Sequence, residues 1–143
     1  MAASGWFSMS VHALALLAQN RDGYSSSFIA SSVNTHAVFL RRVLKRLVEV
    51  GFIETREGRD GGYRLTKPPE DIRLSEVYKA LEMDRALAPS PATPNPMCPV
   101  GSGMPTVFDA IALEVEQAIL ETLRRYTVAD VAEGAVSAGI LSK

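Results

Sequence analysis

Apolar positions recur with a helical period over five stretches of this chain, and two short β-rich runs lie between the third and the fourth. Residues 9–19 (MSVHALALLAQ) are rich in Ala and Leu and contain no breaker, which predicts a buried helix ending near residues 20–23. Ser25, Ser26 and Ser27 then offer N-caps for a short helix carrying Phe28, Ile29, Ala30 and Val33. Asn34 and Thr35 turn the chain into a longer helix that runs to about Val50 and is stopped by Gly51. In that helix Leu40, Val43, Leu44 and Leu47 follow the i, i+3, i+4, i+7 rule and make one apolar stripe. At about 100° per residue, Val38, Arg41, Arg42 and Lys45 fall on the opposite side.

Residues 52–56 (FIETR) and 63–66 (YRLT) read as two short strands, and EGRDGG between them has the glycines of a hairpin tip. Pro68 and Pro69 end the second strand, after which residues 72–83 place Leu74, Val77, Tyr78 and Leu81 on one helical face. Residues 88–105 hold six of the eight prolines and two glycines, which predicts an irregular connection. Beyond it Met104, Phe108, Ile111, Val115, Ala118 or Ile119, Thr122 and Tyr126 recur at about 3.5 residues, a seam that requires a partner. The expected architecture is mainly α with a small β-hairpin wing. Residues 1–87 form a winged helix-turn-helix domain, 88–105 a Pro-rich loop with Cys98, and 106–143 a dimerisation helix and C-terminal tail.

Charge sharpens this picture. The chain's formal net charge is −1, yet residues 36–67 hold eight Lys/Arg against four Asp/Glu, while the remainder is acidic. A local basic field on a third helix and a following hairpin suits double-stranded DNA, whose major groove admits one α-helix. Thr35, His36, Val38, Phe39, Arg41 and Arg42 occupy the turns that would meet base edges, while Lys45 and Arg46 lie further along, at phosphate distance. Ser26 opens the preceding helix; Arg56 and Arg59 flank the hairpin tip, from which Arg59 would enter the minor groove. On this reading Phe108, Ile111, Val115 and Ile119 join two copies. The competing reading keeps the winged helix but gives its basic face to another protein.

Three segments also resemble a known family. VHALALLA, the run from SSVNTHAVFLRR through GGYRLTKPPEDIRLSEVYKALE, and NPMCPVG together resemble the IscR/NsrR/CymR family of bacterial winged-helix repressors, over nearly the whole chain. NPMCPVG with VNTHAVFLRR is similar to its cluster-lacking, YwnA-like branch. The resemblance implies a homodimer held by the long C-terminal helices on a partly palindromic operator. Two departures stand out. Cluster-binding members carry three cysteines before the long helix, whereas this chain has Cys98 alone, so no cofactor is expected and an iron–sulfur cluster is rejected. The wing reads GRDGG where relatives commonly carry a proline and a third glycine, so the Asp60 carboxylate needs Arg59 or Arg56 to screen it from phosphate.

The remaining chemistry is sparse. One cysteine excludes an internal disulfide framework and fits a reducing compartment. The apolar run at residues 11–18 is too short to span a bilayer, which leaves the cytoplasm as the expected location and no membrane partner. Cys98, in the irregular loop, is a candidate redox sensor; with no Lys, Arg or His within ten positions it is also readable as a small buried hydrophobe. His12 reads as a satisfied core histidine, and Trp6, Phe7 and Met9 as core or dimer contacts. Two histidines, one cysteine and no P-loop or metal-ligand spacing make an enzyme an unsupported reading. The effector is not encoded in any recognisable motif.

Overall fold

The computed structural model describes residues 5–59 and 61–141; Asp60 lies outside the described residues. The chain order is α1 (Trp6–Leu17), α2 (Ser26–Val33), α3 (Ala37–Glu49), β1 (Ile53–Arg56), β2 (Gly62–Leu65), a 3-10 turn (Pro69–Asp71), α4 (Leu74–Ala80), α5 (Pro99–Arg124) and α6 (Val128–Leu141). β1 and β2 pair antiparallel with Ile53 opposite Leu65 and Arg56 opposite Gly62. This register turns Ile53 and Leu65 into the core, while Arg64 and Glu54 pair on the outer face at 2.7 Å.

The apolar stripe of α3 organises the core. Leu40, Val43, Leu44 and Leu47 are fully buried and meet Leu14 and Leu17 of α1, Ile29 of α2, Val77 and Leu81 around α4, and Ile72. Ser25 caps α2 through its Oγ, which accepts the Phe28 N–H at 3.2 Å, and Asn34 ends that helix in the left-handed region. Tyr24 then pairs with Tyr63 through two backbone hydrogen bonds of 3.0 and 2.9 Å, adding a one-residue third strand to the wing. That approach needs glycine on both sides. A Cβ at Gly23 would collide with the Tyr63 carbonyl, and one at Gly62 with the Tyr24 carbonyl.

Two features differ from the sequence-based expectation. The long helix starts at Pro99 and not near 106, so residues 99–105 are helical despite two prolines and two glycines. Pro99 occupies the first helical position, where its missing N–H is needed by no partner and its fixed φ is already helical. Pro105 sits in the second turn. The segment beyond residue 126 is a second helix and not a tail. Thr127 and Asp130 form a reciprocal capping box, Thr127 N–H to Asp130 Oδ2 at 2.9 Å and Asp130 N–H to Thr127 Oγ1 at 3.1 Å. α6 packs back on α1, burying Val128 and Ala132, so the core of the N-terminal domain is completed from the other end of the chain. Backbone bonds from Leu74 N–H to the Tyr126 carbonyl (2.9 Å) and Val128 N–H to the Ile72 carbonyl (2.8 Å) secure this return.

Candidate DNA interface

Burial of one side of α3 presents the other side to solvent. Val38, Arg41, Arg42 and Lys45 are all exposed, and no ion pair or hydrogen bond holds these three cationic side chains among the described residues. Cations without acidic partners repel one another modestly and remain available to an anion. At the start of α3, His36 is the exposed N-cap residue with no side-chain cap bond, and Thr35 is half-buried. Ser26 is the half-buried first residue of α2, in the turn where a helix leaves its amides without intrahelical acceptors. Arg59 is exposed near the wing tip.

Three residues expected at this face are committed elsewhere. Phe39 is half-buried, its ring edge-on to Trp6 with centroids 5.5 Å apart. Arg46 turns toward α4: its Nη2 donates to the Ala80 carbonyl at 3.1 Å, and its guanidinium pairs with Glu49 and Glu82 at 3.5 and 3.6 Å. The cause is helical phase. Phe39 and Arg46 are seven residues apart, two turns along the same flank, and that flank faces α1 and α4 rather than solvent. Arg56 likewise donates to the Asp22 carbonyl at 2.7 Å, clamping the wing to the α1–α2 loop. Of the residues expected at this face, Thr35, His36, Val38, Arg41, Arg42 and Lys45, with Arg59 at the wing, are the ones that lie exposed or half-buried outside these contacts.

Sequence reasoning missed the aromatic pair Tyr24–Phe28, which stacks with centroids 4.5 Å apart beside the wing. An i, i+4 pair spanning a helix N-terminus, Tyr-Ser-Ser-Ser-Phe, is the signal that could have found it. His12 is exposed and not in the core, with Nε2 3.0 Å from Ser32 Oγ. Cys98 is likewise exposed and not a buried hydrophobe. It is the N-cap of α5, and its Sγ accepts the Gly101 N–H at 3.4 Å.

On α5 the seam is open to solvent. Ile111 is 49% exposed, Val115 and Ile119 are half-buried, and Met104 and Val107 extend the apolar surface. Val115, Ala118, Ile119, Thr122 and Leu123 line a shallow groove of about 380 Å³. Phe108 differs from the other seam residues. It is half-buried and lines a cavity of about 460 Å³ between α5 and the chain's own Ala88, Pro89 and Pro94. A neighbouring flank of α5 is tied to α4 and the segment after it through Glu116. Its Oε1 accepts the Ala86 N–H at 2.7 Å and its Oε2 accepts the Tyr78 hydroxyl at 3.1 Å. Burial first, then this hydrogen bond and the carboxylate's charge, push the Tyr78 hydroxyl above its ordinary value of 10.0.

A winged helix with these bared cations is a DNA-reading design, and comparison with known proteins agrees. Residues 4–134 match the Rrf2 family model, described as an iron-dependent transcriptional regulator. The chain belongs to the Rrf2 family of transcriptional regulators. It is 34% identical to YwnA of Bacillus subtilis strain 168, described as an HTH-type transcriptional regulator, over 86% of this chain and 91% of that one. A crystal structure described as that of a DNA-binding protein matches with a TM-score of 0.71 and 32% identity, over 88% of this chain and 97% of that chain. T. potens IscR matches with a TM-score of 0.67 at 22% identity, covering 91% and 85%, a likeness of fold. This Rrf2 protein is a DNA-binding transcriptional regulator, and its relatives are regulators rather than enzymes.

Iron in the family's description raises the question of a cluster, and the donor set here does not fit one. The chain has a single cysteine, and the described residues contain no group of three or more His, Cys, Asp or Glu placed to hold a metal. A cluster requires about four ligands, usually thiolates. Among the described residues no helix is long and apolar enough to cross a membrane.

Proposed function

We propose that this Rrf2 protein is a cytoplasmic homodimeric repressor that reads a partly palindromic operator in double-stranded DNA. The observation that carries the reading is the face of α3, with Arg41, Arg42 and Lys45 exposed and without acidic partners among the described residues, while the stripe on the reverse of the helix is fully buried. Arg42 and Arg41 have the fork geometry that a guanine edge accepts, and Lys45 and Arg59 supply phosphate contacts. The N-terminal elements with the wing form the reading half, and α5 forms the dimerisation half. Its exposed seam from Met104 through Ile119 supports the two-fold pairing, since an apolar stripe of that length is stabilised by burial against a copy of itself.

The decisive experiment recovers genomic fragments bound by the purified protein and measures affinity for them against salt. Several phosphate contacts per dimer predict a fall of orders of magnitude between ~50 and ~200 mM salt. A salt-insensitive interaction, or no enrichment of any fragment, overturns the reading. The exposure of Cys98 at the first turn of the dimer helix supports a redox response, because a bulkier, polar sulfur there disturbs how α5 begins. A peroxide or disulfide donor is expected to lower operator affinity severalfold in wild type and to leave Cys98→Ser unaffected. Identical responses of the two proteins refute the sensor.

A further inference from the structure

The core does not require Phe28. Ile29 is the residue that anchors α2 and is fully buried, whereas Phe28 remains 49% exposed although its ring lies against Tyr24, with planes 23° apart. The Tyr24 backbone is paired with Tyr63 through two hydrogen bonds, so the stack is attached to the wing's own strand. Arg56, Arg59 and Gly61 of the wing line the same open cleft, of about 410 Å³. An apolar aromatic lining beside a cationic one matches a ligand that is apolar on one side and anionic on the other. The cleft opens between the start of α2 and the wing, two elements that each pack against α3. In a duplex, the backbone alternates an anionic phosphate with a deoxyribose whose carbon face is apolar.

We propose that the Tyr24–Phe28 stack seats one deoxyribose of the operator backbone, at the flank contacted by the wing, with Arg59 neutralising the adjoining phosphate. The inference rests on the recognition-helix reading of α3 and adds a contact that carries affinity without sequence information. Burial of an exposed aromatic face supplies that affinity, and the Arg59 guanidinium sets which backbone unit enters.

The test uses the full chain and two 40-base-pair duplexes, one bearing a site selected by the wild-type protein from a random pool and one without it. Phe28→Ala is expected to weaken binding to both duplexes about tenfold (~1.4 kcal/mol) with the slope of log affinity against log salt unchanged. Arg59→Ala is expected to reduce that slope by ~0.9 for each phosphate left without its guanidinium. A Phe28→Trp variant adds a readout that does not depend on truncation. Compared with wild type, whose single indole is Trp6, the introduced indole should lose acrylamide access when either duplex is bound. Wild-type affinity in a folded Phe28→Ala, a loss confined to the selected site, or an introduced indole that stays accessible on DNA each overturns the seat. A change in sedimentation in place of DNA affinity also overturns it, by showing that a second copy covers Phe28. Failure of Arg42→Ala to relax sequence preference is a separate result, and counts against the recognition-helix reading alone.

Discussion

Lys45 and Arg46 are adjacent basic residues of α3 that by sequence alone would both contact phosphate, and the structure separates them. The informative perturbation is Lys45→Ala beside Arg46→Ala. Lys45 is exposed and unpaired among the described residues, so its removal should leave stability within ~0.5 kcal/mol of wild type. If it neutralises one phosphate in each half-site, the dimer leaves two phosphates unneutralised without it and the salt slope flattens by ~1.8. Over a fourfold change in salt, that slope difference alters relative affinity by roughly twelvefold. Arg46 should behave in the opposite way. Its side chain is 27% exposed, and its bond to the Ala80 carbonyl is a charge-assisted contact worth ~1.5–3 kcal/mol. Its longer pairs with Glu49 and Glu82 face solvent and add little, ~0–1 kcal/mol together. A loss of ~2 kcal/mol should lower the melting midpoint by roughly 5–10 °C while the salt slope of the folded protein stays at its wild-type value. Thermal and urea melts monitored by circular dichroism, with anisotropy titrations on one labelled duplex at four salt concentrations, measure these quantities. If Arg46→Ala flattens the slope as much as Lys45→Ala does, the assignment by helical flank is refuted.

Arg42→Ala should cost ~1–3 kcal/mol per half-site on the selected duplex and much less on a random one, read by competition titration; equal losses on both would move Arg42 to the phosphate class. Replacing Ile111 and Val115 together by Asp should give monomer or insoluble protein, and light scattering of a wild-type monomer at micromolar concentration would contradict the seam. Because Tyr78's hydroxyl is raised above 10.0 in the folded state, the neutral form is the one the fold favours. Its contribution is therefore complete below the ordinary value and lost as pH climbs through the raised one; stability should fall more gently at high pH in Tyr78→Phe, in denaturant melts between roughly pH 8 and pH 11. Glu116→Ala removes both the Tyr78 and Ala86 bonds and should increase amide exchange at residue 86 before it affects α3.

Local pattern determined a good deal of this protein. The four-residue stripe of α3 is buried as its spacing requires, the wing pairs around its glycine-rich tip, and the basic residues on the reverse of the stripe face solvent. These features depend on the period of a single element and on turn residues, and both are written within about ten positions of sequence. Tertiary contact decided what lies at the edges of those patterns. Phe39 and Arg46 sit on the flank of α3, where the helix period alone is ambiguous, and only the positions of Trp6, Ala80 and Glu82 direct them inward. The start of α5 at Pro99 runs against composition, because proline and glycine counts do not register that a proline at the first helical position is favourable. The α6 return is partly legible in Thr127 and Asp130, but its place against α1 joins residues more than a hundred positions apart. His12 reads as core because its neighbours are apolar, yet the helix phase puts it outside, beside Ser32. The cleft between Phe28 and Arg59 belongs to this second class: two short segments distant in sequence become one surface when Tyr24 pairs with Tyr63, and that pairing is decided by close backbone approach at Gly23 and Gly62, a property of the assembled fold.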